Sequence, residues 1–248
     1  MPGKTASLIR LAMWSGPRNI STAMMRSWGN RPDTAVVDEP LYAHYLQSTG
    51  RVHPRRDEVI AAGPTDLNQA IARLLGLVPG EKKVFYQKHM THHLLPSMDR
   101  AWLRNLTNCF LIREPAEVLT SLIKHVPDLT LPDTGFPQQA EIFERVWQWK
   151  GEPPPVVDAA DVLRDPRRIL SLLCEAVGVE FTDRMLNWEP GLRETDGVWA
   201  KYWYKEVEGT SGFRPYRTKA EPVPEHLGEV LRACQNYYQR LYAHRLGR

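Results

Sequence analysis

Apolar residues in this chain gather in five short runs: "SLIRLAMW" (7–14), "TAVVDEP" (34–40), "KKVFYQKH" (82–89), "NCFLIREP" (108–115) and "PPVVDAAD" (154–161). Most are continuously apolar rather than alternating, the pattern of strands covered on both faces of a parallel sheet. Helical spacing separates them. Residues 21–29 start a helix at Ser21 or Thr22, and 65–77 place Leu67, Ile71, Leu74 and Leu75 on one face. Residues 115–125 open with Pro115 in a first-turn position, and residues 166–177 do the same from Pro166. After Pro224, the spacing of Leu227, Val230, Leu231, Cys234, Tyr238 and Leu241 predicts a closing amphipathic helix, with Arg245 and Arg248 at the end where cations suit the helix dipole. Residues 126–140, with three prolines and a glycine, read as a long loop or lid. Residues 189–223 are also loose, with a possible closing loop at 205–217. Strands alternating with helices predict an α/β fold: one domain over 1–248, with a central, mostly parallel five-stranded sheet flanked by helices.

Composition narrows the function. The 248 residues are 42% hydrophobic and 25% charged, the balance of an ordinary globular protein with room for one large core. A formal net charge of +3, with its basic residues dispersed, does not predict a nucleic-acid partner but suits a small anionic ligand. Cys109, Cys174 and Cys234 are odd in number and far apart, which predicts reduced, structural thiols. No apolar run nears the ~18 residues of a membrane span, and no cleavable leader is evident, so the expected location is cytoplasmic.

The chemistry concentrates where strands become helices. "SGPRNIST" (15–22) follows the first strand and opens a helix. In an open parallel sheet, ligands settle at the carboxyl ends of strands, and helix N-termini there bind anions through unpaired N–H groups. Gly16, Pro17, Arg18, Asn19, Ile20, Ser21 and Thr22 therefore form a candidate phosphate loop; the plain reading is a capped turn with a solvated arginine. A Walker loop is excluded, since no Gly-Lys pair precedes the hydroxyl residues, and G-x-G-x-x-G is absent. "FLIREPAEVLTSLIKH" (110–125) repeats the plan. Arg113 ends a strand and Ser121 follows eight residues later, able to hold a second phosphate from two sides; alternatively, Arg113 pairs with Glu114 or Glu117.

These residues resemble the sulfotransferases that use 3′-phosphoadenosine 5′-phosphosulfate (PAPS). Pro17, Arg18, Ser21 and Thr22 match that family's 5′-phosphosulfate loop, Arg113 and Ser121 its 3′-phosphate pair, and "PPVVDAADVLRDPRRILSLLCEAVGVEF" its later strand-turn-helix. The resemblance implies a P-loop NTPase-like fold, PAPS as co-substrate, no metal, and a small-molecule acceptor taking the sulfuryl group on a hydroxyl or amine. It also likens "GTSGFR" to a loop closing on the 3′-phosphate, through Gly212, Phe213 and Arg214. Asn19 and Ile20 stand where the family has Ser-Gly, and Ala23 where some members place an aromatic residue. An adenine-stacking ring must then come from elsewhere, with Trp199, Trp203, Tyr204 and Phe213 as candidates.

For the acceptor proton there are two candidate bases, Glu39 at the end of the second strand and His89 at the end of the third; the resemblance supports both. Glu39 is preferred, with His89 as a further site residue, Arg18 stabilising charge and Lys88 aiding the leaving phosphate. His89, His92 and His93 lack a carboxylate or cysteine at metal-ligand spacing. Segment 42–64, with Tyr42, His44 and Tyr45, is expected to shape the acceptor pocket. The alternatives are a nucleotide-dependent kinase or phosphotransferase, and a non-catalytic nucleotide-binding module. Neither the acceptor nor the oligomeric state follows from the pattern.

Overall fold

Five parallel strands form the centre: β1 (Ile9–Ser15), β2 (Thr34–Asp38), β3 (Val84–Met90), β4 (Thr107–Ile112) and β5 (Val156–Asp158), in the order β2-β3-β1-β4-β5. The computed structural model describes residues 8–218 and 221–248, so Ser7 of the first expected strand lies outside the described residues. Each strand falls within or next to its expected run. Helices cover both faces: α1 (Ser21–Gly29), α2 (Tyr42–Thr49), α3 (Arg56–Ala62), α4 (Leu67–Leu75), α5 (Pro115–Leu122), α6 (Phe136–Lys150), α7 (Ala159–Arg164), α8 (Pro166–Val177), α9 (Ala200–Trp203), α10 (Lys205–Glu208) and α11 (Gly228–Tyr242).

The alternation of side chains along each strand divides the core. Leu11, Met13, Tyr86 and Leu111 point to the face packed by α1, α2 and α8; Ala12, Trp14, Phe110 and Ile112 point to the face packed by α4, α6 and α11. Cys109 and Cys174 lie in the first core and Cys234 in the second, all buried and unbridged. Asp165 caps α8 by accepting from the Arg168 N–H at 3.0 Å, with Pro166 in the first turn and Gly178 left-handed after the last. Arg245 and Arg248 donate to the Tyr242 and Ala243 carbonyls at the end of α11 (3.1 and 2.7 Å), as expected of cations there. None of the described helices is long and apolar enough to cross a membrane.

Two expectations need correction. Only part of 126–140 is loop: a 3-10 turn spans Leu131–Thr134 behind a capping box from Thr130 and Asp133, and α6 begins at Phe136 with Pro137 in its first turn. Two of the three prolines that suggest irregular chain, Pro132 and Pro137, are helix starts, and Pro127 lies in a turn. This stretch is also fixed to the sheet rather than free of it. The Gln139 amide donates to the Trp14 and Leu111 carbonyls (3.0 Å each), and the Thr91 hydroxyl to the Gly135 carbonyl (2.9 Å). The second correction concerns His89. Adjacent strand residues face opposite ways, so Lys88 and His89 cannot share a site. Lys88 is on the α1 side; His89 stacks on Trp14 at 4.2 Å and contacts Gln87 at 3.2 Å on the other.

Burial pushes the His89 imidazole down to about 3, with the nearby Lys88 charge adding to the shift. The unfolded chain, with a histidine near its ordinary 6.5, binds the extra proton across that window, so folding stability must fall as pH drops from 6.5 toward 3. Urea titrations at stepped pH are expected to show His89→Phe removing up to about 1.4 kcal/mol per pH unit of this slope.

Candidate functional site

The carboxyl ends of β1 and β4 lie side by side, and both strand-to-helix corners open into one cleft of about 920 Å³. At the first corner, Gly16 lies against the 131–135 turn, and a Cβ there would come 2.7 Å from the Thr134 carbonyl oxygen. Arg18 has a left-handed backbone (φ 55°), and the Asn19 side chain accepts from the Ile20 N–H (2.8 Å) and donates to the Leu111 carbonyl (3.0 Å). Asn19 therefore ties the loop to β4. Ile20 offers no side-chain cap to α1, and Ser21, Thr22 and Ala23 line the cleft at that helix start.

The second corner meets the first directly. Arg113 donates through Nη1 to the Arg18 carbonyl (2.6 Å), while its Nε and Nη2 grip Oε2 of Glu117 (2.9 and 2.8 Å). Arg18 donates through Nε to the Ser121 hydroxyl at 2.8 Å. The ion pair and the joined corners thus coexist: Glu117 orients the guanidinium, and Tyr216 holds the carboxylate's other oxygen at 2.9 Å. Burial lowers the Arg18 pKa, Glu206 opposes the shift, and the like charge of Arg113 adds to it. Two guanidinium groups in one half-buried place are relieved by an anion between them.

The other end of the cleft carries Glu39 and Lys88. The register pairs Asp38 with Lys88, placing both on the α1 face, and Glu39 follows with a left-handed backbone (φ 40°). Lys88 is 1% exposed. Its ammonium donates to Asp38 Oδ1 (2.9 Å), Tyr204 Oη (2.9 Å) and Glu39 Oε1. Burial opposes that charge, but Asp38, Glu39 and Tyr204 outweigh it and hold the ammonium well above its ordinary value. Burial also raises the Glu39 carboxyl, with Lys88 opposing and Asp38 reinforcing. All three ammonium protons are engaged, so in this arrangement Lys88 directs none toward a leaving phosphate.

Tyr42, Tyr45, His53, His92, His93 and Trp203 line the same cleft as Glu39. His93 is sandwiched between Tyr42 (4.6 Å) and Tyr45 (4.7 Å), and burial lowers it and His92 well below the ordinary imidazole range. The expected segment 42–64 supplies Tyr42, Tyr45, Arg51 and His53 to this wall from α2 and the turn after it; His44 does not line the cleft. Among the described residues no group of histidine, cysteine and carboxylate side chains is arranged to hold a metal ion.

Gly212, Phe213 and Arg214 also line the cleft, Arg214 donating to the Glu206 carbonyl at 3.0 Å. Of the four ring candidates, Trp203, Tyr204 and Phe213 line the cleft, whereas Trp199 does not and packs in the core; Tyr204, also in the core, is tied to Asp38. His89 is outside the cleft, on the far face of the sheet, which corrects its expected place in the site. Sequence reading names Glu117 as a partner of Arg113, as observed, but misses Asp38 and Tyr216, and does not place His53, His92 and His93 in the cleft wall. Asp38 adjoins Glu39 and Glu117 follows Arg113 by one helical turn, so both left a trace; Tyr216 comes from a distant loop and left none.

The family model described as Sulfotransferase domain matches residues 9–245. Two Arabidopsis thaliana proteins, Branched-chain-amino-acid aminotransferase-like protein 2 and protein 1, are 32% and 34% identical over 231 residues, 93% of this chain. The chain spans 41% of the length of each. Similar solved structures include the Sulfotransferase Domain from the Curacin Biosynthetic Pathway (16% identity, TM-score 0.48, covering 96% of this chain and 97% of that one). A Sulfotransferase from Alicyclobacillus acidocaldarius is 14% identical, with a TM-score of 0.48 over 74% of this chain and 87% of its own.

The contact at Gly16 generates a test. Gly16→Ala sets a methyl against backbone that cannot swing aside, and denaturant unfolding is expected to show a loss of about 1–3 kcal/mol.

Proposed function

This chain belongs to the sulfotransferase family, and from that premise we propose that it moves a sulfuryl group from PAPS to a hydroxyl or amine of a small acceptor. One observation carries the reading: Arg113 bonded to the Arg18 carbonyl, and Arg18 to Ser121, beside the uncapped start of α1. That arrangement brings the donors of two strand-to-helix corners into one cleft, which fits a ligand with more than one anionic group. The N–H groups at the start of α1 suit the 5′-phosphosulfate, and Arg113 with Ser121 the 3′-phosphate. Gly212, Phe213 and Arg214 form the closing side, and Trp203 or Phe213 offers a ring to adenine.

PAPS supplies an activated sulfuryl group on a phosphate leaving group. As the acceptor oxygen or nitrogen bonds to sulfur, the bond from sulfur to the 5′-phosphate oxygen breaks and its electron pair stays on the phosphate. The chain's contribution is positioning and charge stabilisation. Arg18 and the α1 amides stabilise the phosphate, and Glu39, at the opposite side of the cleft, takes the acceptor proton. The ring-lined wall, with its buried histidines uncharged and Arg51 paired with Asp133, favours an uncharged acceptor with a flat apolar body.

Calorimetry with adenosine 3′,5′-bisphosphate tests the reading. Micromolar binding is expected, weakened about ten- to hundredfold by Arg18→Ala or Ser121→Ala through lost charge-assisted bonds. Failure to bind at millimolar nucleotide, or magnesium-dependent consumption of ATP in its place, overturns it. Binding without transfer across a broad acceptor panel favours a non-catalytic module. Glu39→Gln is expected to lower turnover about 10²–10⁴-fold, whereas His89→Phe stays within a few-fold of the parent.

A further inference from the structure

The buried cluster beneath Glu39 has an unequal sharing of partners that the reaction alone does not require. Lys88 brings one positive charge to two carboxylates, Asp38 and Glu39. Asp38 has further donors: the Tyr204 hydroxyl reaches both its oxygens (2.8 and 2.6 Å), and the Gly197 N–H reaches Oδ2 at 3.1 Å. Glu39 receives Lys88 alone, on Oε1, and among the described residues its Oε2 has no hydrogen-bond donor. Asp38 is therefore the better supported of the two carboxylates. A proton entering the cluster goes to Glu39 and leaves Asp38 and Lys88 as a balanced pair.

We propose that Asp38 and Tyr204 are positioning residues that act on Glu39 through Lys88: Asp38 takes a permanent share of the ammonium, and Tyr204 fixes that share by bonding Asp38 and Lys88 together. The inference rests on Glu39 as the acceptor's base. Tyr204 is held in turn by the Trp199 indole N–H (3.2 Å), and Trp199 meets Tyr42 of the ring-lined wall edge-on at 5.1 Å. The groups facing Glu39 are Lys88 from β3, Asp38 from β2, Tyr204 after α9 and Tyr42 from α2. Burial keeps both tyrosine hydroxyls protonated and His89, His92 and His93 near Lys88 uncharged, so the balance among Asp38, Lys88 and Glu39 sets the proton affinity.

The geometry gives two substitutions opposite signs. Asp38→Asn removes a competitor, so Lys88 belongs to Glu39 alone and Glu39 stays ionised to lower pH. Tyr204→Phe removes a donor from Asp38 and an acceptor from Lys88, and the freed ammonium N–H turns to Asp38, which has lost its hydroxyl donor, so Glu39 holds its proton to higher pH. A role confined to holding the fold would not split the signs.

The experiment measures kcat/KM against pH for the parent, Asp38→Asn, Tyr204→Phe and Glu39→Gln, with adenosine 3′,5′-bisphosphate affinity as the check on folding and the nucleotide site. The acid limb is expected to move down by about one pH unit in Asp38→Asn and up by a similar amount in Tyr204→Phe, with nucleotide affinity within about twofold of the parent. Limbs that stay in place or move in the same direction overturn the proposal. If Asp38→Asn does not fold, Tyr204→Phe decides alone, and an unmoved or lowered limb overturns it. An acid limb that persists in Glu39→Gln removes the base reading and this inference with it. That outcome is distinct from a limb that vanishes in Glu39→Gln but fails to split.

Discussion

The hydrogen bond from the Arg113 guanidinium to the Arg18 carbonyl joins two corners of the chain 95 residues apart, and the whole cleft is arranged around that join. A carbonyl in a left-handed loop needs a donor, and the sheet order places β4 next to β1, so the donor that arrives is the residue ending the neighbouring strand. Glu117, one helical turn on, takes the guanidinium's other edge and fixes its plane. The Arg18 side chain is then directed to Ser121 across the gap. Each corner completes the other: without β4 beside β1, the loop would be a strained turn and the Arg113–Glu117 pair an ordinary helix-end bridge.

The carboxylate end of the cleft is built differently. A lysine with 1% exposure between two carboxylates is weak evidence for stability, because removing such charges from water offsets much of their attraction. What the cluster supplies is a defined charge state. With three acceptors around it, Lys88 has no reason to lose its proton, and with one ammonium between two acids the less supported acid becomes the proton acceptor. The left-handed backbone at Glu39 adds local strain and turns the side chain from the strand end toward the cleft.

Local signals made the scaffold legible, and long-range ones remained hidden. Helix α8 begins and ends where expected because Asp165, Pro166 and Gly178 are all local caps. The bounds of α1 also match, even though Ser21 and Thr22 lie inside the helix and Ile20 provides no cap. In 126–140 the same vocabulary misled: Pro132 and Pro137 start helical turns, and what separates a helix start from a loop there is the grip of Gln139 on two strand ends. Glu39 stood out as an acid at a strand end. His89 stays a second candidate because composition alone does not reveal face, and a shift of one residue along a strand moves a side chain to the other side of the sheet. The sharing of Lys88 depended on the β2–β3 register and on a tyrosine 116 residues away, neither of which a single sequence displays.

That distant tyrosine belongs to a segment touching each end of the site in turn. Arg26 and Asp196 form a buried bidentate pair (2.5 Å on each side), pinning the chain to α1 just before Gly197 reaches Asp38. Tyr204 then joins Asp38 and Lys88, Arg214 bonds back to the Glu206 carbonyl at the cleft, and Tyr216 reaches Glu117. Within twenty-one residues the segment runs from the carboxylate pair at one end to the arginine corner at the other. The Arg113 corner and the Glu39 cluster therefore rest on the same stretch of backbone, so groups from β2, β3, β4 and α5 are held in one cleft although only β4 and α5 among them are joined by a local sequence signal.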